Sequence, residues 1–146
     1  MRILLITLLS SFLLTTSTWE TDFTKAKSSA KDSHKLIFLN FSGSDWCGPC
    51  IRLRKEIFDS KAFSDYANGH LVLVNADFPR LKKNQLSKEQ QLKNDQLAEM
   101  YNKEGKFPFT LLLSADGKVL KTWDGFTALT PEAYTEQVKE IANASE

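Results

Sequence analysis

The chain has 146 residues, of which 42% are hydrophobic, 11% aromatic and 25% charged. This length and composition are typical of one globular domain that can bury a core without disulfide bonds. The formal net charge of +1 gives no support for a nucleic-acid-binding surface or for an acidic partner.

The N-terminus has the pattern of a secretory signal peptide. Arg2 supplies a positive charge, residues 3–14 are mostly apolar, and Thr15–Thr18 form a small-residue end. The apolar run is too short for a comfortable membrane span. We therefore predict a signal peptide over residues 1–18 and a mature domain over residues 19–146 that has no stable membrane insertion after cleavage. An uncleaved membrane anchor is the alternative.

The mature chain has the pattern of alternating helices and strands. Four residues at helical spacing predict a first amphipathic helix: Trp19, Phe23, Ala26 and Ala30. The apolar run 36–41 is typical of a parallel strand that is covered on both faces. A second apolar run, 71–74, follows a helical segment, and a strand–helix–strand crossover of this length implies parallel pairing.

Both cysteines of the chain lie in the segment Trp46-Cys47-Gly48-Pro49-Cys50, where the strand at 36–41 meets the following helix. At a helix N-terminus, unpaired N–H groups and the macrodipole favour a thiolate and lower the pKa of a cysteine. Cys47 is therefore the candidate nucleophile, and Cys50, one turn further on, is placed to resolve a mixed disulfide at Cys47. Pro49 falls within the first turn, where a missing N–H costs little.

Two other roles of the cysteine pair are open. A structural disulfide between positions three apart would close a very small loop and contribute about 2 kcal/mol, less than a long-range bridge. A zinc site would need four ligands, and the chain's two histidines, His34 and His70, lack finger-like spacing. We favour redox chemistry, for which the dithiol itself is the redox group, so no metal or bound cofactor is expected.

The C-terminal part of the chain is predicted to add a helix, a hairpin and a last helix. Leu97, Met100 and Tyr101 form an inward stripe in which Met100 fills the core, and Gly105 can end that helix. The hairpin is predicted from two apolar runs and the turn between them: Phe109–Leu113, Asp116-Gly117 and Val119–Trp123. Thr130-Pro131 has the pattern of a helix start.

The five-residue cysteine motif is specific, and through it the chain resembles the thioredoxin superfamily, whose active-site signature is Trp-Cys-Gly-Pro-Cys. Further matches are Asn75-Ala76-Asp77 at the end of the second strand and Phe107-Pro108 before the third. The resemblance covers roughly residues 36–141. The segments Ser42–Cys47 and Asp77–Arg80 look most like the small exported thioredoxin-like proteins of bacteria. The resemblance implies an α/β thioredoxin fold with a central mixed sheet of about four strands flanked by helices.

The resemblance also implies roles for single residues. Pro108 would be a cis-proline that packs against the active-site disulfide and keeps metal off the cysteines, while the backbone of Phe107 pairs with an extended substrate segment. Trp46 would shield the cysteine pair and offer apolar contact surface. Two positions depart from the family. Asn40 stands where a buried aspartate is usual, and an amide cannot act as a general base. Leu73 stands where a lysine is often found.

The connection after the second strand is long and basic. Residues 78–93 carry five cations against Glu89 alone: Arg80, Lys82, Lys83, Lys88 and Lys93. We interpret this segment as a solvated loop followed by a helix face that begins at the capping box Ser87–Gln90. The alternative hypothesis is a basic lip beside the active site that selects a partner or raises the thiolate fraction of Cys47.

Together these patterns indicate an exported thiol–disulfide oxidoreductase, periplasmic or secreted, that reduces protein disulfides through a Cys47/Cys50 dithiol. Gly48-Pro49 between the cysteines resembles the reducing members of the superfamily. We expect a monomer with protein substrates that carry disulfides or thiols, and a redox partner that recharges the dithiol. The alternatives are a disulfide oxidase or isomerase, and a non-catalytic thioredoxin-fold binding module or chaperone.

Overall fold

The computed structural model describes residues 18–145 and contains a four-stranded sheet with helices on both faces. The elements in chain order are α1, Phe23–Ser33; β1, Leu36–Ser42; α2, Gly48–Leu53, continued by a π-helical turn, Arg54–Phe58; α3, Lys61–His70; β2, Leu71–Asp77; a 3₁₀ turn, Lys82–Asn84; α4, Lys88–Tyr101; β3, Phe109–Leu113; β4, Val119–Asp124; and α5, Pro131–Asn143. The predicted signal peptide lies outside the described residues apart from Thr18.

The sheet has the strand order β2-β1-β3-β4. β1 and β2 are parallel, while β1 with β3 and β3 with β4 are antiparallel. This confirms the predicted α/β fold with a mixed sheet, including the parallel crossover and the hairpin. Because β1 and β2 are parallel, the connections that follow them leave the sheet at the same edge.

Local sequence fixes where four of the helices begin. In each, the side chain before the first turn accepts a hydrogen bond from the backbone N–H three residues later: Asp22 for α1, Ser60 for α3, Ser87 for α4 and Thr130 for α5. Such caps satisfy one of the free N–H groups at a helix N-terminus. The predicted starts at Ser87 and Thr130 are confirmed.

The core has two layers because side chains of β1 alternate between the faces of the sheet. Phe38 lies on the face covered by α2, α3 and α5, where it contacts the rings of Phe58, Phe63 and Tyr134. Ile37, Leu39 and Phe41 lie on the opposite face together with residues of α1 and α4. β1 is thus buried on both sides, as its apolar run predicted. Within residues 18–145, no helix has the length and apolar character needed to cross a membrane.

The predicted start of the first helix is wrong. Asp22 caps α1, so Trp19 lies before the helix in an extended segment, where Glu20 bridges to Val74 of β2. Trp19 nevertheless packs in the core, with its ring 5.5 Å from that of Phe58. The four apolar residues at helical spacing therefore do not belong to one helix, because Asp22 caps the helix after Trp19.

The predicted core role of Met100 is also wrong. Met100 is 62% exposed, whereas Leu97 is buried and the Tyr101 hydroxyl donates to the Gly117 carbonyl. Met100 lies at the margin of the inward face and lines a shallow cleft between α1 and α4. The helix ends at Tyr101, four residues before Gly105, which adopts φ +65° in the turn that follows.

Candidate active site

The cysteine motif lies at the start of α2, immediately after the loop that leaves β1. Cys47 is the N-cap residue of α2, and its Sγ accepts a hydrogen bond from the Cys50 N–H at 3.3 Å. A disulfide joins the two cysteines, which are 5% and 3% exposed. Pro49 lies in the first turn of the helix, as predicted. The sequence therefore located the pair correctly, at a helix N-terminus where a thiolate is favoured.

The helix that carries the cysteines is anchored by its other end. After Leu53, α2 continues as a π-helical turn, in which Ile57 and Phe58 are buried against the core. The π turn shifts the face that a helix presents, and such turns are frequent near functional sites. It was not predicted, since no sequence pattern distinguishes this short segment from ordinary α-helix.

Trp46 is fixed in place by contacts from several segments. Its indole Nε1–H donates to the Phe78 carbonyl at 2.7 Å, and its ring meets the Phe107 ring edge-on at 5.5 Å. The Arg80 guanidinium lies over the indole at 3.6 Å from the ring centroid. The indole packs so closely on Gly43 that a Cβ at position 43 would overlap it. Trp46 thus joins the loop after β1 to the loop after β2.

Two aspartates connect the same two loops. Asp45 accepts hydrogen bonds from the backbone N–H groups of Arg80 and Leu81, both at 2.9 Å. Asp77, at the end of β2, accepts from the backbone N–H and the hydroxyl of Ser44. The hydrogen bond from the Arg80 N–H to Asp45 is the main reason why the pKa of this exposed carboxyl is lowered. Asp45 lies in the segment Ser42–Cys47, but its role as an acceptor was not predicted, because its partners lie about 35 residues away along the chain.

The Phe107–Pro108 peptide bond is cis, as the resemblance implied. The Pro108 carbonyl accepts a hydrogen bond from the Gly125 N–H at 2.9 Å, and the Phe107 ring contacts both Trp46 and Phe78. Among residues 18–145, the backbone N–H and carbonyl of Phe107 form no hydrogen bond. These two groups are therefore available to another chain at a point beside the cysteine motif.

A buried polar row crosses the sheet at the level of Asn40. The Asn40 side chain is 4% exposed; its amide donates to Asn75 Oδ1 at 3.0 Å, and its oxygen accepts from the Thr110 hydroxyl at 3.0 Å. These residues are direct cross-strand neighbours. The buried Tyr134 lies on the same face, and desolvation raises the pKa of its hydroxyl, which stays protonated. The row therefore contains hydrogen-bonding groups but no group that is ionised at neutral pH. Leu73, the other departure from the family, is buried in the core.

The cations of the basic segment after β2 do not form one cluster. Lys93 forms ion pairs with Asp22 and Glu89, both at 3.0 Å, on the side of α4 that faces α1. Lys82 and Lys83 are exposed in the 3₁₀ turn. Arg80 is the member of this group that contacts the cysteine motif, through Trp46.

In the described part of the chain, no three His, Cys, Asp or Glu side chains are grouped so that they could hold a metal ion. His34 and His70 line a cavity of about 460 Å³ at the opposite end of the sheet. They are therefore not part of the cysteine site.

The comparison with protein families decides the family. The model of the thioredoxin-like domain matches residues 23–142. The chain belongs to this thioredoxin-like family. The match includes the cysteine motif, the Phe107-Pro108 segment and all four strands.

One relative by sequence and two solved structures show where the chain lies within the thioredoxin fold. The chain is 39% identical over 121 residues to disulfide bond reductase DsbH of Chlamydia pneumoniae, covering 83% of this chain and 70% of that protein. The solved structure of a DsbH oxidoreductase matches with a TM-score of 0.79 and 36% identity, covering 88% of this chain and 86% of that one. A disulphide isomerase from Xylella fastidiosa Temecula1 matches with a TM-score of 0.54 and 21% identity over 85% of this chain and 88% of that one, and shows the fold alone.

Proposed function

We propose that the protein reduces disulfide bonds in other proteins, with Cys47 as the nucleophile and Cys50 as the resolving cysteine. The observation that carries this proposal is the Cys47–Cys50 disulfide at the N-terminus of α2, beside the Phe107-Pro108 segment. The name of the relative DsbH, a disulfide bond reductase, supports the direction of the reaction. Gly48-Pro49 between the cysteines supports it as well, by resemblance to reducing thioredoxins.

The reaction begins with the reduced pair. The Cys47 thiolate attacks one sulfur of the substrate disulfide, whose S–S bond breaks as a mixed disulfide forms. The released substrate thiolate takes up a proton from water. Cys50 then gives its proton to solvent and attacks the Cys47 sulfur, which leaves the Cys47–Cys50 disulfide and releases the second substrate thiolate, and this thiolate takes up a proton in turn. The substrate gains two electrons and two protons, and the protein is left in the oxidised form described above.

The substrate is an extended protein segment. The backbone groups of Phe107 are free to pair with such a segment by strand addition, which orients it through main-chain hydrogen bonds. Trp46 and Phe107 then offer it an aromatic surface beside Cys47.

If the protein works outside the reducing cytosol, it needs a second partner that reduces its disulfide again. We propose that the protein is exported, either periplasmic or secreted, because residues 1–18 have the pattern of a signal peptide. We also propose that it acts as a monomer. In an oxidising compartment the dithiol has to be regenerated by a donor that carries reducing equivalents. The mass of the protein purified from its own cells tests this part, since removal of residues 1–18 is expected and an intact N-terminus would contradict cleavage.

The direction of the reaction is tested by the reduction potential of the Cys47/Cys50 couple, measured by equilibration with glutathione. A value near or below ~−250 mV, with catalytic reduction of a protein disulfide, is expected for a reductase. A value above ~−180 mV would instead make the protein an oxidase or isomerase. If Cys47→Ala leaves the cellular activity intact, the protein is a binding module or chaperone and the proposed chemistry is wrong.

A further inference from the structure

Three arginines of the described chain lie over aromatic rings, and their guanidinium groups differ in what else they bind. Arg52 lies 4.3 Å from the ring centroid of Phe126, and Arg54 lies 4.4 Å from that of Trp19. Each also binds a carboxylate: Arg52 binds Glu56 through two nitrogens at 3.0 and 3.4 Å, and the Nε of Arg54 binds Asp59 at 2.8 Å. Stacking on a ring with the edge on a carboxylate is a favourable arrangement for a planar guanidinium.

Arg80 has the ring contact without the carboxylate. Its guanidinium lies 3.6 Å from the Trp46 ring centroid, yet it forms no ion pair or hydrogen bond with any residue between 18 and 145. The nearby Asp45 carboxylate is occupied by backbone N–H groups, among them that of Arg80 itself. Five N–H donors at the edge of the guanidinium thus remain available.

The position of Arg80 relates this free edge to the cysteine pair. Trp46 directly precedes Cys47, and its ring contacts Phe107, whose backbone groups are free. A segment that pairs with Phe107 and brings a disulfide to Cys47 therefore passes the ring that Arg80 covers. Asp45 holds the backbone of Arg80 and Leu81, and the Trp46 ring contacts the guanidinium, so both parts of Arg80 are positioned before a partner binds.

We propose that Arg80 is a specificity-determining residue that favours protein disulfides with a glutamate or aspartate close to the reacting cysteine. The substrate carboxylate takes the place at the guanidinium edge that Glu56 takes on Arg52 and Asp59 takes on Arg54. This inference rests on the proposed reductase function, since it concerns substrates of that reaction. It also limits the hypothesis of a basic lip over residues 78–93 to one residue, Arg80.

The test uses the full protein and a set of synthetic peptides, each joined to a small thiol by one disulfide. Within the set, glutamate or glutamine occupies each of the two positions on either side of the cysteine. The second-order rate constant of reduction is measured for each peptide at low and high salt. Affinity of the oxidised protein for the same peptides with serine in place of cysteine is measured by tryptophan fluorescence.

At low salt, the best glutamate peptide is expected to react about threefold to fivefold faster than its glutamine partner, in line with an exposed ion pair of good geometry. High salt should reduce this ratio, because exposed charges are screened. In Arg80→Gln the ratio is expected to fall to about one, and Arg80→Lys should retain part of it, since lysine keeps the charge but not the planar fork. Lys83→Gln is the matched control, because Lys83 is an exposed cation three residues away without contact to Trp46, and should leave the ratio unchanged.

A wild-type ratio near one, a ratio that persists in Arg80→Gln, or an equal loss in Lys83→Gln would overturn the inference. Failure of the proposed function has a different signature. If no peptide is reduced but the oxidised protein binds glutamate peptides more tightly, and Arg80→Gln removes this preference, then the surface is as proposed and the reductase function is wrong.

Discussion

The connections that follow the two parallel strands leave the same edge of the sheet but are built in opposite ways. The loop after β1, residues 43–47, is short and leads directly into the helix that begins with the cysteine pair. The connection after β2, residues 78–87, is longer and has little regular structure of its own beyond one 3₁₀ turn. The short loop carries Cys47, the proposed nucleophile, while the long one supplies Arg80 and Phe78 around Trp46.

The difference shows how the two tasks are divided. A helix N-terminus favours a thiolate, and a short local segment can provide one. Contact with varied substrates needs a surface that can be built from distant residues, and long loops on a rigid scaffold provide it. The hydrogen bonds that Asp45 and Asp77 accept join the two connections, each of which is held by a carboxylate from the other side.

The largest effect that separates the two connections is expected at the cysteines. Cys47→Ser should lower the rate of disulfide reduction by more than about a hundredfold, because the thiolate is the nucleophile. In the Cys50→Ser variant, Cys47 should still attack the substrate disulfide, but the mixed disulfide should accumulate because no cysteine resolves it. This species is visible as an added mass when the protein is analysed without reductant. Since both variants lack the same disulfide, each controls for the stability loss of the other. Turnover that survives in Cys47→Ser would contradict the assignment of chemistry to the short connection.

A new charge at Asn40, near the end of β1, tests whether the buried polar row has to stay neutral. In Asn40→Asp, burial between Asn75 and Thr110 should raise the pKa of the new carboxyl, so stability is lost as pH rises through that raised pKa. We expect the free energy of unfolding at neutral pH to fall by about 3 kcal/mol, and to approach the wild-type value in acid. Urea unfolding at several pH values measures this. Asn75→Asp, at a half-buried position, should lose less, and a pH-independent loss in Asn40→Asp would contradict the argument.

A methyl group at Gly43 tests whether Trp46 couples the two connections. Gly43→Ala should destabilise the protein by about 1–3 kcal/mol, because its Cβ would overlap the indole and displace it. A shift in tryptophan fluorescence should accompany the loss. Gly69→Ala is the matched control: a Cβ there meets nothing within 4 Å in α3, so stability should be unchanged or rise by up to about 1 kcal/mol. Equal effects at both glycines would argue against a constrained indole.

The smallest effect is expected from protonation of Asp45, which should loosen the long connection alone. Its pKa is lowered from 3.8, so the contribution of the carboxylate is complete above that value and is lost as pH falls through the lower pKa of the folded protein. NMR resonances of the Arg80 and Leu81 amides should titrate together below pH 3.8 while those of the core stay unchanged. Asp45→Asn should weaken these bonds at all pH values. A midpoint at or above the ordinary value would mean that the carboxylate does not hold this loop.

The sequence by itself determined the parts that depend on neighbouring residues. The cysteine motif, the caps at Ser60, Ser87 and Thr130, and the buried strand β1 all follow from local pattern, because helix starts and burial periodicity are set within a few residues. The position of Cys47 at a helix N-terminus is a consequence of the same local rules. From these, the fold class and the location of the site were predictable.

The tertiary structure alone decided which charged residues contact the cysteine motif. The hydrogen bonds that the Arg80 and Leu81 N–H groups donate to Asp45, and the stacking of Arg80 on Trp46, join residues about 35 positions apart. The sequence places Arg80 at the end of the segment Asp77–Arg80 but does not show its contact with Trp46. Met100 shows the same limit, because its helical position was correct and its exposure depended on what packs beside α4. Contacts of this kind depend on the relative placement of loops and helices, which only the folded sheet fixes.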